Sequence, residues 1–167
     1  MSRGVTVTIA TGRMLRSAVY FARLLASDAP VICCNGGYVG HAEGEPVFAK
    51  YFDPDLVREF LTFVYERNWY VNWYSGIEIY APEYRADHFD AYRTTGNFVV
   101  TEVGNDYLRY TENVPQFVLR NLNEGIDAYF TAVREQFGDR VVPQQNTGTS
   151  LDINPSGVNK AVGVQAL

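Results

Sequence analysis

Val5-Thr6-Val7-Thr8-Ile9-Ala10-Thr11-Gly12-Arg13 is the stretch on which the fold turns. β-Branched side chains fill most of residues 5–11 and suit a pleated strand. No acidic residue interrupts them, so burial on both faces, as in a parallel sheet, is expected. Gly12 punctuates the strand. Residues 14–27 then place Leu15, Val19, Phe21, Ala22, Leu24 and Leu25 on a mainly apolar helical face. Residues 30–34 form a second short apolar strand, ended by Asn35-Gly36-Gly37. Strand, helix and strand with short connections imply a right-handed parallel crossover.

Further along, the pattern changes. Residues 38–52 read as a hairpin around Glu43-Gly44-Glu45, and Asp53-Pro54 opens a helix to about Arg67, with Asp53 as N-cap and Pro54 in the first helical position. Residues 69–74 and 77–81 alternate as strands of an antiparallel sheet with one covered face, joined near Ser75-Gly76. Residues 83–95 read as a helix, 98–103 and 114–120 as strands, 123–137 as a helix, and 140–145 with 150–153 as a closing strand pair. The fold class expected is α/β. An α/β element occupies residues 1–45, an inserted α+β module residues 46–150, and a return to the α/β element residues 151–167.

Composition narrows the function classes. With 47% hydrophobic and 14% aromatic residues, the 167-residue chain can bury a real core. The net charge of −5 and the lack of any basic run give nucleic acid no footprint. No apolar stretch approaches the roughly 20 residues of a membrane span, and the polar start lacks a signal-peptide core, so a cytoplasmic protein is expected. Cys33 and Cys34 should be buried and reduced, pointing to opposite faces of a strand. His41 and His88 lack the spacing that would complete a zinc site with them.

Three segments could carry chemistry. Thr11-Gly12-Arg13 ends a strand at the carboxyl edge, where open α/β sheets bind ligands. A hydroxyl, an approachable backbone N–H and a guanidinium fit an oxyanion cradle, and they equally fit a turn with a surface arginine. Asn35-Gly36-Gly37 ends the neighbouring strand on the same edge, and a simple turn suffices to explain it. In Pro155-Ser156-Gly157-Val158-Asn159-Lys160, Asn159 caps a helix and Lys160 lies in its first turn. A cation there opposes the helix dipole at a cost of about 0.3–1 kcal/mol. A bound anion or a solvated lysine would each account for it.

Residues 4–13, then Pro30-Val31-Ile32 leading to Asn35-Gly36, then Leu151-Asp152-Ile153-Asn154 running into Pro155 to Lys160, together resemble the Cof-like phosphatases of the haloacid dehalogenase (HAD) superfamily. The resemblance covers the whole chain. It implies a partial HAD core carrying a type IIB cap, and hydrolysis of small phosphate monoesters, sugar phosphates or similar, through an aspartyl-phosphate with Mg²⁺. Thr11 would take the phosphoryl-binding hydroxyl role and Lys160 that of the lysine that neutralises phosphate and orients the nucleophile. Gly12, Arg13, Asn35 and Gly36 would lie at the phosphate, and Tyr70, Asn72 and Tyr74, sharing one strand face, would line the cap's substrate side.

The resemblance has gaps. The family's Asp-x-Asp-Gly-Thr and Gly-Asp-x-x-Asn-Asp motifs do not occur in these 167 residues. Asp53-Pro54-Asp55 has the first motif's spacing, but a helix cap explains it. The chain alone is therefore expected to lack the nucleophile and the Mg²⁺ ligands and to be catalytically incompetent, with the strand of residues 5–11 pairing with a second copy or poorly ordered. The partner expected is a small phosphorylated metabolite. The competing expectation is a stand-alone binding or interaction module derived from the cap.

Overall fold

The computed structural model describes residues 4–93, 98–120, 123–146 and 150–167. Helix α1 (Leu15–Leu24) leads to β1 (Val31–Cys33), a 3-10 turn (Cys34–Gly36), β2 (Tyr38–Gly40) and β3 (Phe48–Ala49). These strands form a small antiparallel sheet in the order β1-β2-β3. The expected parallel partner is present only as a single bridge, Ala10 to Ile32, flanked by Ile32 N–H donating to Ile9 O at 2.8 Å and Thr11 N–H to Ile32 O at 2.9 Å. Burial of residues 5–11 on both faces does not hold: Val5 is 62% exposed and Val7 41%. Among the described residues the segment pairs along one side only, and Val5, Thr6 and Val7 stay exposed while Ile9 packs partly against the core.

The second layer begins with α2 (Pro54–Glu66), where the Asp53 carboxylate accepts from Asp55 N–H at 2.9 Å and Pro54 fills the first helical position. Then come β4 (Tyr70–Ser75), β5 (Glu78–Ala81), α3 (Ala86–Arg93), β6 (Val100–Glu102), β7 (Phe117–Arg120), α4 (Ile126–Phe137), β8 (Val141–Asn146), β9 (Ser150–Pro155) and α5 (Lys160–Gln165). The six strands form one sheet in the order β6-β5-β4-β7-β9-β8, antiparallel except between β5 and β6. β3 belongs to the small sheet and β9 to the large one.

Register explains why the large sheet has two unlike faces. Tyr70 pairs with Arg120 and Arg120 with Ser150; Asn72 pairs with Val118 and Val118 with Asp152. These rows point to one side, and the alternate residues Val71, Trp73, Phe117, Leu119, Leu151 and Ile153 point to the other. On that other side α2 and α4 supply Phe60, Val64, Tyr129 and Phe137 to an apolar core, with Phe60 stacked on Phe117 at 4.5 Å. Trp73 is fully buried there and donates its Nε1–H to Tyr110 O at 2.8 Å. A second cluster joins the two sheets: Met14, Leu15 and Val31 pack with Tyr74, Phe89 and Val118.

The cysteines are both buried and free. The strand stops at Cys33, and Cys34 turns into the left-handed region at φ 50°, so the two side chains join one apolar cluster and do not divide between faces. The adjacent Cys33 thiol and burial push the Cys34 thiol up.

Candidate active site

The polar face of the large sheet meets the loops of the small one at a cavity of about 380 Å³. From the small unit come Thr11, Gly12, Arg13 and Asn35; from the start of α5 comes Lys160; from the large sheet come Tyr74, Arg120, Gln144, Asn146, Ser150 and Asp152. Thr11 sits where the main chain leaves its pairing with Ile32, and its hydroxyl accepts from Arg13 N–H at 3.2 Å. Arg13 turns toward α1, with Nη1 3.3 Å from Ser17 Oγ and the guanidinium 5.3 Å above the Phe21 ring. It both lines the cavity and braces the helix behind it.

Asn35 is the junction. It adopts φ 57°, a left-handed conformation that asparagine tolerates, and is 6% exposed. Its N–H donates to Thr11 O at 3.1 Å, and its Nδ2 donates to Asp152 Oδ2 at 3.0 Å and to Asn154 Oδ1 at 3.1 Å. Asn154 in turn donates from Nδ2 to Cys34 O at 2.9 Å and Pro115 O at 3.1 Å. Buried amides joined in this way fix the loop of the small unit against β9. Gly12 needs its missing side chain: a Cβ would fall 2.7 Å from Asn35 Oδ1 and 3.2 Å from Asp152 Oδ2.

Gly36 packs against the start of α5. It does not line the cavity. At φ 97° it lies against the backbone of Asn159 and Lys160, where any side chain would collide. Its effect on the site is to let the start of α5 approach. Asn159 caps that helix, accepting from Val162 N–H at 3.1 Å, and Lys160 projects from the first turn, exposed, into the cavity lining.

Of the three residues expected to face substrate, Tyr74 alone lines this cavity. All three share the expected strand face, but that face is covered. Tyr70 donates to Glu83 O at 2.6 Å, packs edge-on to His88 at 4.4 Å, and borders a separate cleft with Tyr65 and Tyr129. Asn72 is completely buried beneath Arg120, whose Nε–H it accepts at 2.8 Å. The residues that sequence reasoning missed, Arg120, Gln144, Asn146 and Ser150, lie on strands whose alternation was visible. Gln116-Val118-Arg120 and Ser150-Asp152-Asn154 each interleave with apolar partners. Only the strand register shows that these faces meet the loops of the small unit.

Among the described residues Asp152 is the single carboxylate on the lining. Burial pushes it above the ordinary carboxylate range, opposed by the Asn35 amide and the Arg120 charge.

A family model described as haloacid dehalogenase-like hydrolase matches residues 1–167. The chain belongs to the haloacid dehalogenase-like hydrolase family. Solved structures of similar fold include a protein of Thermotoga maritima (TM-score 0.79, 21% identity, 98% of this chain and 62% of that one). A putative HAD/COF-like hydrolase of Plasmodium vivax gives a TM-score of 0.81 at 16% identity, covering 98% and 61%. A HAD subclass IIB sugar phosphatase gives 0.77 at 13% identity, covering 99% and 62%. The chain thus spans about three fifths of the length of these HAD-fold structures. The search of curated proteins found no match. No helix among the described residues is long and apolar enough to cross a membrane.

HAD phosphotransferases generally use Mg²⁺, a hard cation that takes oxygen ligands, mainly carboxylates. The donors here do not fit it. Asp152 is buried and already accepts from Asn35, and among the described residues no three His, Cys, Asp or Glu side chains come together to hold a metal.

Proposed function

We propose that this chain supplies the phosphoryl-binding side and the cap of a hydrolase acting on small phosphate monoesters, sugar phosphates or similar, through an aspartyl-phosphate. One observation carries the reading: Thr11, Gly12 and Lys160, from opposite ends of the sequence, line a single cavity. The Thr11 hydroxyl and Gly12 N–H donate to phosphoryl oxygens, and the Lys160 ammonium neutralises their charge. Asn35 holds the Thr11 loop against Asp152, and Arg13 braces α1. A bound anion beside Lys160 also offsets the unfavourable meeting of that cation with the helix dipole.

The domain division goes with the reading: a core part at residues 1–45 and 151–167 on either side of a cap at residues 46–150. The 167 residues contain neither Asp-x-Asp-Gly-Thr nor Gly-Asp-x-x-Asn-Asp, so the attacking carboxylate and the Mg²⁺ ligands are assigned to residues other than these, and turnover by this chain alone is not expected. A cytoplasmic setting and pairing of a second copy along the strand of residues 5–11 belong to the same proposal. The pairing is supported by the exposure of Val5 and Val7.

Titration of the ¹⁵N-labelled chain with inorganic phosphate tests the reading. The amides of Thr11, Gly12, Arg13 and Lys160 should shift together, and Lys160→Ala should weaken that binding at least ~tenfold. Phosphate that leaves these amides unmoved, or binds the variant equally well, would sink it.

A further inference from the structure

A second cleft, of about 420 Å³, opens at the end of the large sheet where β4 begins, beyond the last residues of β5 and β7. Small-molecule sites span about 300–1,000 Å³, so its size is sufficient for one. The phosphoryl site uses none of its residues.

Aromatic rings build its walls. Trp69 packs on Tyr129 at 4.1 Å, Tyr65 stacks on Tyr107 at 3.7 Å, and the Arg85 guanidinium lies 4.7 Å over the Tyr70 ring. Two tyrosine hydroxyls already donate to main-chain carbonyls, Tyr65 to Gly104 O at 3.0 Å and Tyr70 to Glu83 O at 2.6 Å. Tyr65 and Trp69 are only half-buried, so they leave flat apolar area open to a ligand.

The polar part of the lining is uncharged on balance. Among the described residues Glu83 and Arg85 are its only charges, and they join in an ion pair at 2.7 Å. The first cavity, by contrast, gathers Arg13, Arg120 and Lys160 with the one carboxylate of Asp152. Beside its rings the second cleft offers three exposed amides: Asn68 after α2, Asn105 in the 3-10 turn after β6, and Asn123 before α4. An asparagine amide both donates and accepts, which matches a hydroxyl. Asn68 is fixed at φ 53°, where α2 gives way to β4.

Rings, amides from three elements and a cancelled charge suit a ligand with apolar faces and hydroxyls around its edge. A sugar ring has that form. Its weakly positive C–H groups lie against the negative face of an aromatic ring, and its hydroxyls reach the amides. We infer that this cleft binds a neutral saccharide, at a site separate from the phosphoryl site.

Titration of the ¹⁵N-labelled chain with glucose, galactose, mannose and maltose tests this, each at about 10 mM, tenfold above a Kd of about 1 mM. At least one sugar should shift the Trp69 indole N–H together with the side-chain amides of Asn68, Asn105 and Asn123. Asn105→Ala, on an exposed turn, should weaken that binding about fivefold, the loss of one hydrogen bond. Trp69→Ala, shown to be folded by its thermal melt, should abolish it. Sugars that leave this group of signals unmoved, or that bind Asn105→Ala equally well, would overturn the inference. The same shifts produced by adenosine or by inorganic phosphate would overturn the saccharide class. Phosphate binding at Thr11, Gly12 and Lys160 is read from different amides, so either site can fail alone.

Discussion

The two faces of the six-stranded sheet are built from the same strands, one residue out of step, and they do opposite work. Trp73, Phe117, Leu119 and Ile153 are buried against α2 and α4, where area removed from water is the main stabilising term. Asn72, Asp152 and Asn154 are nearly as inaccessible but polar, and they are kept in place by hydrogen bonds to Arg120, Asn35 and the Cys34 carbonyl. A buried polar face that must be satisfied atom by atom contributes less stability than an apolar one and more positional definition. In this chain the definition falls at the cavity.

The largest expected effect is on the apolar face. Trp73→Ala removes a fully buried ring and its bond to Tyr110, and should destabilise the chain by about 3–5 kcal/mol in urea unfolding. A loss under about 1 kcal/mol would mean that the helix side is not the main core.

A smaller effect, of a different kind, is expected on the polar face. Burial holds Asp152 above its ordinary value, so between the unfolded and folded pKa the native state keeps a proton that the unfolded chain has given up. Stability should fall as pH rises from about 4 through the raised value, and Asp152→Asn should flatten that part of the curve. Parallel urea midpoints for the two proteins across that range would break the contrast between faces.

Much of this architecture could be read from local pattern. The Asp53-Pro54 helix start, the alternation through Tyr70 to Tyr74 and the Asn159 cap all appear as expected, because each depends on neighbours in sequence. So do Thr11, Asn35 and Lys160 as residues at strand and helix ends. What could not be read depends on partners far away. Val5 and Val7 look like core residues and are exposed, and Gly36 looks like a simple turn glycine until Asn159 is found against it. Tyr70 is withdrawn from the cavity by Glu83 and His88, and Arg120 is brought to it by pairing with Ser150. A residue's face is local information, but what that face meets is not.

The central claim is that loops of the small unit and the first turn of α5 converge on one oxyanion site beneath the polar face. Its most direct test is a crystal structure of the chain soaked in tungstate, a heavy tetrahedral analogue of phosphate. Tungsten density is expected between the Thr11 hydroxyl, the Gly12 N–H and the Lys160 ammonium, and should be lost in Lys160→Ala. Tungstate bound only elsewhere on the surface, with the cavity holding solvent alone, would contradict it.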